Sequence, residues 1–137
     1  MKDQMPILLV EDDDVDVMTM RRALKDLHVT NPLYVAGDGE AGLSVLRDPA
    51  KPRPCVILLD LNMPRMNGIE FLRVVKADQH LRSIPVIVLT TSREESDRVE
   101  TFSLSVAGYM IKPADYRQFV DVVRTIDLYW TLSELAD

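Results

Sequence analysis

Cysteine is nearly absent from this chain of 137 residues, where Cys55 stands alone. A single thiol cannot close an internal disulfide, so the fold must rest on a packed core, and Cys55, beside an apolar run, is expected inside it. That removes the disulfide-stapled secreted class and leaves a reducing, cytoplasmic setting as the expectation. No apolar run approaches the ~20 residues of a membrane-spanning helix, and the start Met1-Lys2-Asp3-Gln4-Met5-Pro6 lacks a signal-peptide core, so no membrane partner is expected. Basic residues number 16 against 22 acidic ones, a net charge of −6, so the basic face that non-specific nucleic-acid binding needs is missing. Glycine is scarce at 5 residues, and no Gly-rich phosphate loop of Rossmann or Walker type occurs, which argues against a nucleotide-binding module. The only two histidines, His28 and His80, lie near expected helix ends with no base or nucleophile nearby in sequence, and both read as surface residues.

What is present is a set of short apolar runs, each ending abruptly in chemistry. Val56-Ile57-Leu58-Leu59 reads as a strand buried on both faces, and burial stops at Asp60, with Pro64 blocking regular continuation. A lone Asp after a strand is often a mere turn or cap residue. Here three other strand ends carry polar groups as well. Ile7-Leu8-Leu9-Val10 runs into Glu11-Asp12, Pro85-Val86-Ile87-Val88-Leu89 into Thr90-Thr91-Ser92, and Ala107-Gly108-Tyr109-Met110-Ile111 into Lys112-Pro113. Parallel strands bring such ends to one edge, where open α/β sheets bind their ligands. Carboxylates, a hydroxyl and an ammonium suit a divalent cation and an anion bound to it.

Between the runs lie helical spacings: Val17, Met20, Leu24 and Leu27; Ala41, Leu43 and Leu46; Ile69, Leu72 and Val75; and Phe119, Val123 and Ile126 after a cap at Asp115. Residues 94–104 are polar, with Val99, Phe102 and Leu104 as anchors, and are expected to form the least stable helix. Leu33-Tyr34-Val35-Ala36 supplies one more strand. Five alternating β and α units predict an α/β fold, a doubly wound five-stranded parallel sheet covered on both faces. A single domain over 1–137 is expected, its core at about 6–127 and a helical extension over 128–137, with no output domain.

Other readings of the acidic start fail on spacing. Asp12, Asp14 and Asp16 mimic an EF-hand loop, but its sixth position holds Val17 where Gly is needed and its twelfth Ala23 where Glu is needed. Asp13, Asp14 and Asp16 are explained by the positive amino end of a helix. Thr90 and Thr91 cannot both point into one pocket, because strand side chains alternate.

In this order the motifs resemble the receiver domain of bacterial two-component response regulators, over essentially Ile7 to Trp130. They are Val10-Glu11-Asp12-Asp13, Leu59-Asp60-Leu61-Asn62-Met63-Pro64-Arg65-Met66-Asn67-Gly68, Leu89-Thr90-Thr91-Ser92 and Tyr109-Met110-Ile111-Lys112-Pro113. Lys112-Pro113-Ala114-Asp115-Tyr116-Arg117-Gln118-Phe119 and the Tyr129-Trp130 tail are most similar to stand-alone regulators paired with phytochrome-type histidine kinases. The resemblance implies a flavodoxin-like (βα)5 fold and a phosphoryl group accepted on Asp60 from a sensor histidine kinase. It implies Mg²⁺ (or Mn²⁺) held by Asp12, Asp60 and the Asn62 carbonyl, with Glu11 acting through water, and phosphoryl contacts from Thr90 and Lys112. It further implies a cis Lys112–Pro113 bond, a switch made of Thr90 and Tyr109, and output through an unidentified downstream protein or onward transfer. On this reading the chain catalyses its own phosphorylation and dephosphorylation and turns over no substrate. A haloacid dehalogenase type of phosphatase shares an Asp nucleophile and Mg²⁺, but needs a second carboxylate where this chain has Asn62. Three carboxylates within ~4 Å repel by about 4 kcal/mol per pair at an effective dielectric of 20, so without a cation one of them should take a proton.

The last helix carries more apolar surface than one core face needs. Val120, Val122 and Tyr129 widen the stripe of Phe119, Val123, Ile126 and Trp130 to about 180°, and Leu128 falls outside it. A homodimer through this helix is therefore expected, a pairing also common in the regulators it resembles.

Overall fold

The computed structural model describes residues 5–61, 67–90 and 106–132, with side chains as far as Tyr129. The expected helix at 94–104, Thr91, Ser92, the Asn62-Met63-Pro64 turn and the Trp130 side chain lie outside the described residues. The strands are β1 (Ile7–Val10), β2 (Leu33–Ala36), β3 (Val56–Asp60), β4 (Val86–Thr90) and β5 (Gly108–Ile111). They form one parallel sheet in the order β2-β1-β3-β4-β5. The described helices are α1 (Asp14–Asp26), α2 (Gly39–Arg47), α3 (Gly68–Ala77) and α4 (Tyr116–Leu132). None of these is long and apolar enough to cross a membrane.

Alternation along the strands feeds two cores. Leu8, Val10, Ile57, Leu59, Val86 and Val88 meet Leu43, Phe71, Leu72 and Val75 from α2 and α3. Ile7, Leu9, Leu58, Ile87 and Leu89 meet Met20, Ala23, Leu24, Phe119, Val123 and Ile126 from α1 and α4 on the other face. With both faces covered, the strands read as continuous apolar runs. Cys55 is a buried core thiol, as its neighbourhood predicts.

Local capping fixes where each helix starts. The Asp13 carboxylate accepts from Val15 N at 2.8 Å and Asp16 N at 3.2 Å, Asp38 from Ala41 N, and Asp115 from Gln118 N. Asn67 and Glu70 form a reciprocal capping box at α3. Helix α1 ends with His28 at φ 59°, while Val29 N donates to Leu24 O and His28 N to Lys25 O. This is a Schellman closure with a histidine where glycine is favoured.

Gly68 matters for the site. A Cβ there would lie 2.5 Å from Leu61 Cα and 2.6 Å from Asp60 O, so only glycine lets α3 start against the end of β3.

Helix α4 divides its apolar arc differently from the 180° expectation. Val120 and Val122 pack partly buried on the core, leaving Leu128 at 50% and Tyr129 at 43% exposure as the outward surface.

Candidate functional site

Register places the expected residues on one edge of the sheet. Val10 is level with Leu59, Asp60 with Leu89, and Thr90 with Ile111. Glu11 therefore follows β1 at the level of Asp60, while Thr90 stands one residue beyond that level on β4 and Lys112 two residues beyond it after β5. Glu11 N donates to Ala36 O and Lys112 N to Thr90 O at 2.7 Å, pinning both crossings to the sheet.

One carboxylate oxygen each from Glu11, Asp12 and Asp60 lies within 4.8 Å of the other two. Their surroundings differ: Glu11 is 3% and Asp60 9% exposed, whereas Asp12 faces solvent. The Lys112 ammonium donates to Glu11 Oε1 at 2.5 Å and to Asp16 Oδ2 at 3.0 Å. Burial pushes the Glu11 carboxyl up to about 7 from its ordinary 4.5; Lys112 opposes the rise and Asp60 adds to it. Burial pulls the Lys112 ammonium down, yet its bonds and charges with Glu11, Asp60 and Asp16 outweigh this and hold its pKa above the usual value. The edge is thus an acidic pocket with one carboxyl poised to exchange its proton near neutral pH.

The donor set fits a small hard cation. Octahedral Mg²⁺ has oxygens at 2.0–2.1 Å, which puts two ligands about 3–4 Å apart, and it retains waters that can bridge a more distant carboxylate. Three oxygens within 4.8 Å meet that requirement with a water-mediated third arm.

Thr90 ends β4 at 1% exposure. Tyr109, level with Val88, is half-buried against the α2–α3 core. Asn62 lies outside the described residues. One expectation is overturned: the Lys112–Pro113 bond is trans, since no described peptide bond is cis. The ammonium reaches Glu11 and Asp16 with a trans bond, so no cis geometry is required to turn it inward.

The sequence alone did not pair Asp16 with Lys112. Its position in the first turn of α1 was sufficiently explained by the helix dipole, and 96 residues separate the two. Beside them a cavity of about 580 Å³ opens between α1 and the start of α4, its wall including Asp16, Arg22, Lys112, Tyr116 and Phe119. The Arg22 guanidinium stacks on the Tyr116 ring at 4.0 Å, and the Tyr116 hydroxyl donates to Asp26 at 2.6 Å.

Residues 7–124 match the response regulator receiver domain family. The response regulator Rcp1 of Synechocystis sp. is 36% identical over 128 residues, 90% of this chain and 87% of that protein. The crystal structure of the phosphorylated cyanobacterial phytochrome response regulator RcpA superposes with a TM-score of 0.88 at 34% identity, covering 98% of this chain and 99% of that one. The Mn²⁺-bound form of Rcp1 gives a TM-score of 0.86, also at 34% identity, over 97% and 99% of the two chains. With a five-stranded parallel sheet, an acidic pocket at its carboxyl edge and a family match over most of its length, the chain belongs to the receiver domains of two-component response regulators, phosphoacceptor proteins by family.

Proposed function

We propose that Asp60 accepts a phosphoryl group from the histidine of a sensor kinase in a Mg²⁺-dependent reaction, in the cytoplasm, and that the modified surface acts on another protein. The observation that carries this reading is the convergence of Glu11, Asp12 and Asp60 within 4.8 Å, beside Lys112. A carboxylate at neutral pH is already a nucleophile, so Asp60 needs no general base. Its oxygen forms the new bond to phosphorus as the phosphorus–nitrogen bond of the donor breaks, and the released imidazole takes up a proton. Asp12 and Asp60, with the Asn62 carbonyl and a water on Glu11, are the residues to hold Mg²⁺, which supplies neutralising charge to the phosphoryl oxygens. Lys112 brings a second cation, and the Thr90 hydroxyl a hydrogen-bond donor, to the same oxygens. Movement of Thr90 toward the phosphoryl group and of Tyr109 inward is the proposed switch. Similarity to phytochrome response regulators supports a phytochrome-type kinase as the donor.

On this reading the receiver unit itself carries the signal, by protein contact or onward transfer. A homodimer is proposed through the exposed Leu128 and Tyr129 of α4, which the core leaves uncovered. Incubation with a small phosphodonor and Mg²⁺ should add one phosphoryl mass, lost on chelation and in Asp60→Asn. Labelling that survives Asp60→Asn would contradict the assignment.

A further inference from the structure

Lys112 does not stand free in the pocket. Its ammonium has three donors, and two are engaged, one by Glu11 Oε1 and one by Asp16 Oδ2. The two acceptors differ in kind. Glu11 is buried within the carboxylate cluster, whereas Asp16 belongs to the first turn of α1, outside that cluster, with its side chain 42% exposed. Asp16 sits in the first turn of α1, where the positive amino end of the helix favours an acidic side chain whether or not Lys112 is near. Asp16 also lines the cavity between α1 and α4, so its carboxylate can turn toward water without moving a core residue. Asp16 is therefore a standing competitor for the cation, and one that is released at small cost.

We propose that Asp16 is a positioning residue: it tethers the Lys112 ammonium on the α1 side of the pocket, and phosphoryl uptake on Asp60 competes with this pair for the ammonium. The inference rests on Asp60 being the phosphoacceptor. Its consequence is a resting state biased against the phosphorylated form by a single side chain that touches neither metal nor phosphoryl group. A partly exposed ion pair sets the scale, a bias of roughly two- to fivefold in the affinity for a phosphoryl-like anion.

The test uses the full chain with beryllofluoride at saturating Mg²⁺, in wild type, Asp16→Asn, Lys112→Met and the double variant. Asp16→Asn should bind beryllofluoride roughly two- to fivefold more tightly, and the substitution should change nothing when Lys112 is already Met. The same gain in the double variant would show that Asp16 acts only through its negative field, and would overturn the tether. Unchanged or weaker binding in Asp16→Asn would overturn it too. A readout independent of the anion is the side-chain mobility of Lys112, measured by NMR relaxation of its terminal methylene and ammonium. Mobility should rise in Asp16→Asn, and an unaltered Lys112 would contradict the pairing. If the wild type itself binds no beryllofluoride, the phosphoacceptor reading fails, and the tether with it; failure confined to Asp16→Asn overturns the tether alone.

Discussion

Raising the pH from 4 to 8 should destabilise the metal-free protein through one side chain, Glu11. Its carboxyl titrates at about 7 in the folded protein against an ordinary 4.5, chiefly because it is 3% exposed and also because Asp60 lies beside it. Between those values the folded state holds a proton that the unfolded chain has lost, so stability falls as pH rises, starting near 4.5 and ending just above 7. At 1.36 kcal/mol per pH unit, the displacement from 4.5 to about 7 is worth roughly 3 kcal/mol. Lys112 does not contribute in that window: its raised pKa supports folding at all lower pH and loses that support only above its ordinary 10.5. The assay is urea denaturation at pH steps from 4 to 8, in chelator and in saturating Mg²⁺, for the wild type and Glu11→Gln. Wild-type stability minus that of Glu11→Gln isolates Glu11 and should fall by roughly 3 kcal/mol between pH 4 and 8, in favour of the variant. Mg²⁺ should abolish much of the fall, since a cation offsets the carboxylate repulsion otherwise relieved by the proton. A difference that stays constant from pH 4 to 8, or one that changes equally with Mg²⁺ present, would refute the reasoning.

Three further outcomes follow from the packing. Gly68→Ala should destabilise by roughly 1–3 kcal/mol in chemical denaturation and lower Mg²⁺ affinity, because its Cβ meets Leu61 Cα at 2.5 Å; wild-type stability would contradict the close approach. His28→Gly should stabilise by about 1 kcal/mol, since φ 59° strains any side chain but not glycine; a loss of stability would show that the imidazole makes a compensating contact. Leu128→Glu with Tyr129→Glu should turn a sedimenting dimer into a folded monomer with little change in melting temperature, whereas a monomeric wild type would remove the proposed interface.

The strands were legible because their apolar runs are short, continuous and stopped by single polar residues. Ile7–Val10 and Leu33–Ala36 match the structure residue for residue, and the polar ends converge as parallel pairing requires. Less visible were features set by tertiary contact. The plausible stripe of Ile69, Leu72 and Val75 hides Phe71, which is fully buried while Ile69 is only partly so. Val122 looked like spare apolar surface on a helical wheel, but α4 packs across the sheet and α1 closely enough to use it. The Asp16–Lys112 pair follows from how β5 delivers its lysine to α1 across 96 residues, which no local pattern encodes.

Acyl-phosphate trapping tests most directly whether Asp60 is the single phosphoacceptor of a Mg²⁺-dependent receiver. Borohydride reduces an aspartyl phosphate to homoserine, so peptide mapping after phosphodonor treatment reads the position of the bond. Homoserine at position 60 alone, appearing with Mg²⁺ and not with chelator, is the predicted result. Homoserine at position 12, a phosphohistidine at His28 or His80, or no modification under any condition would contradict it.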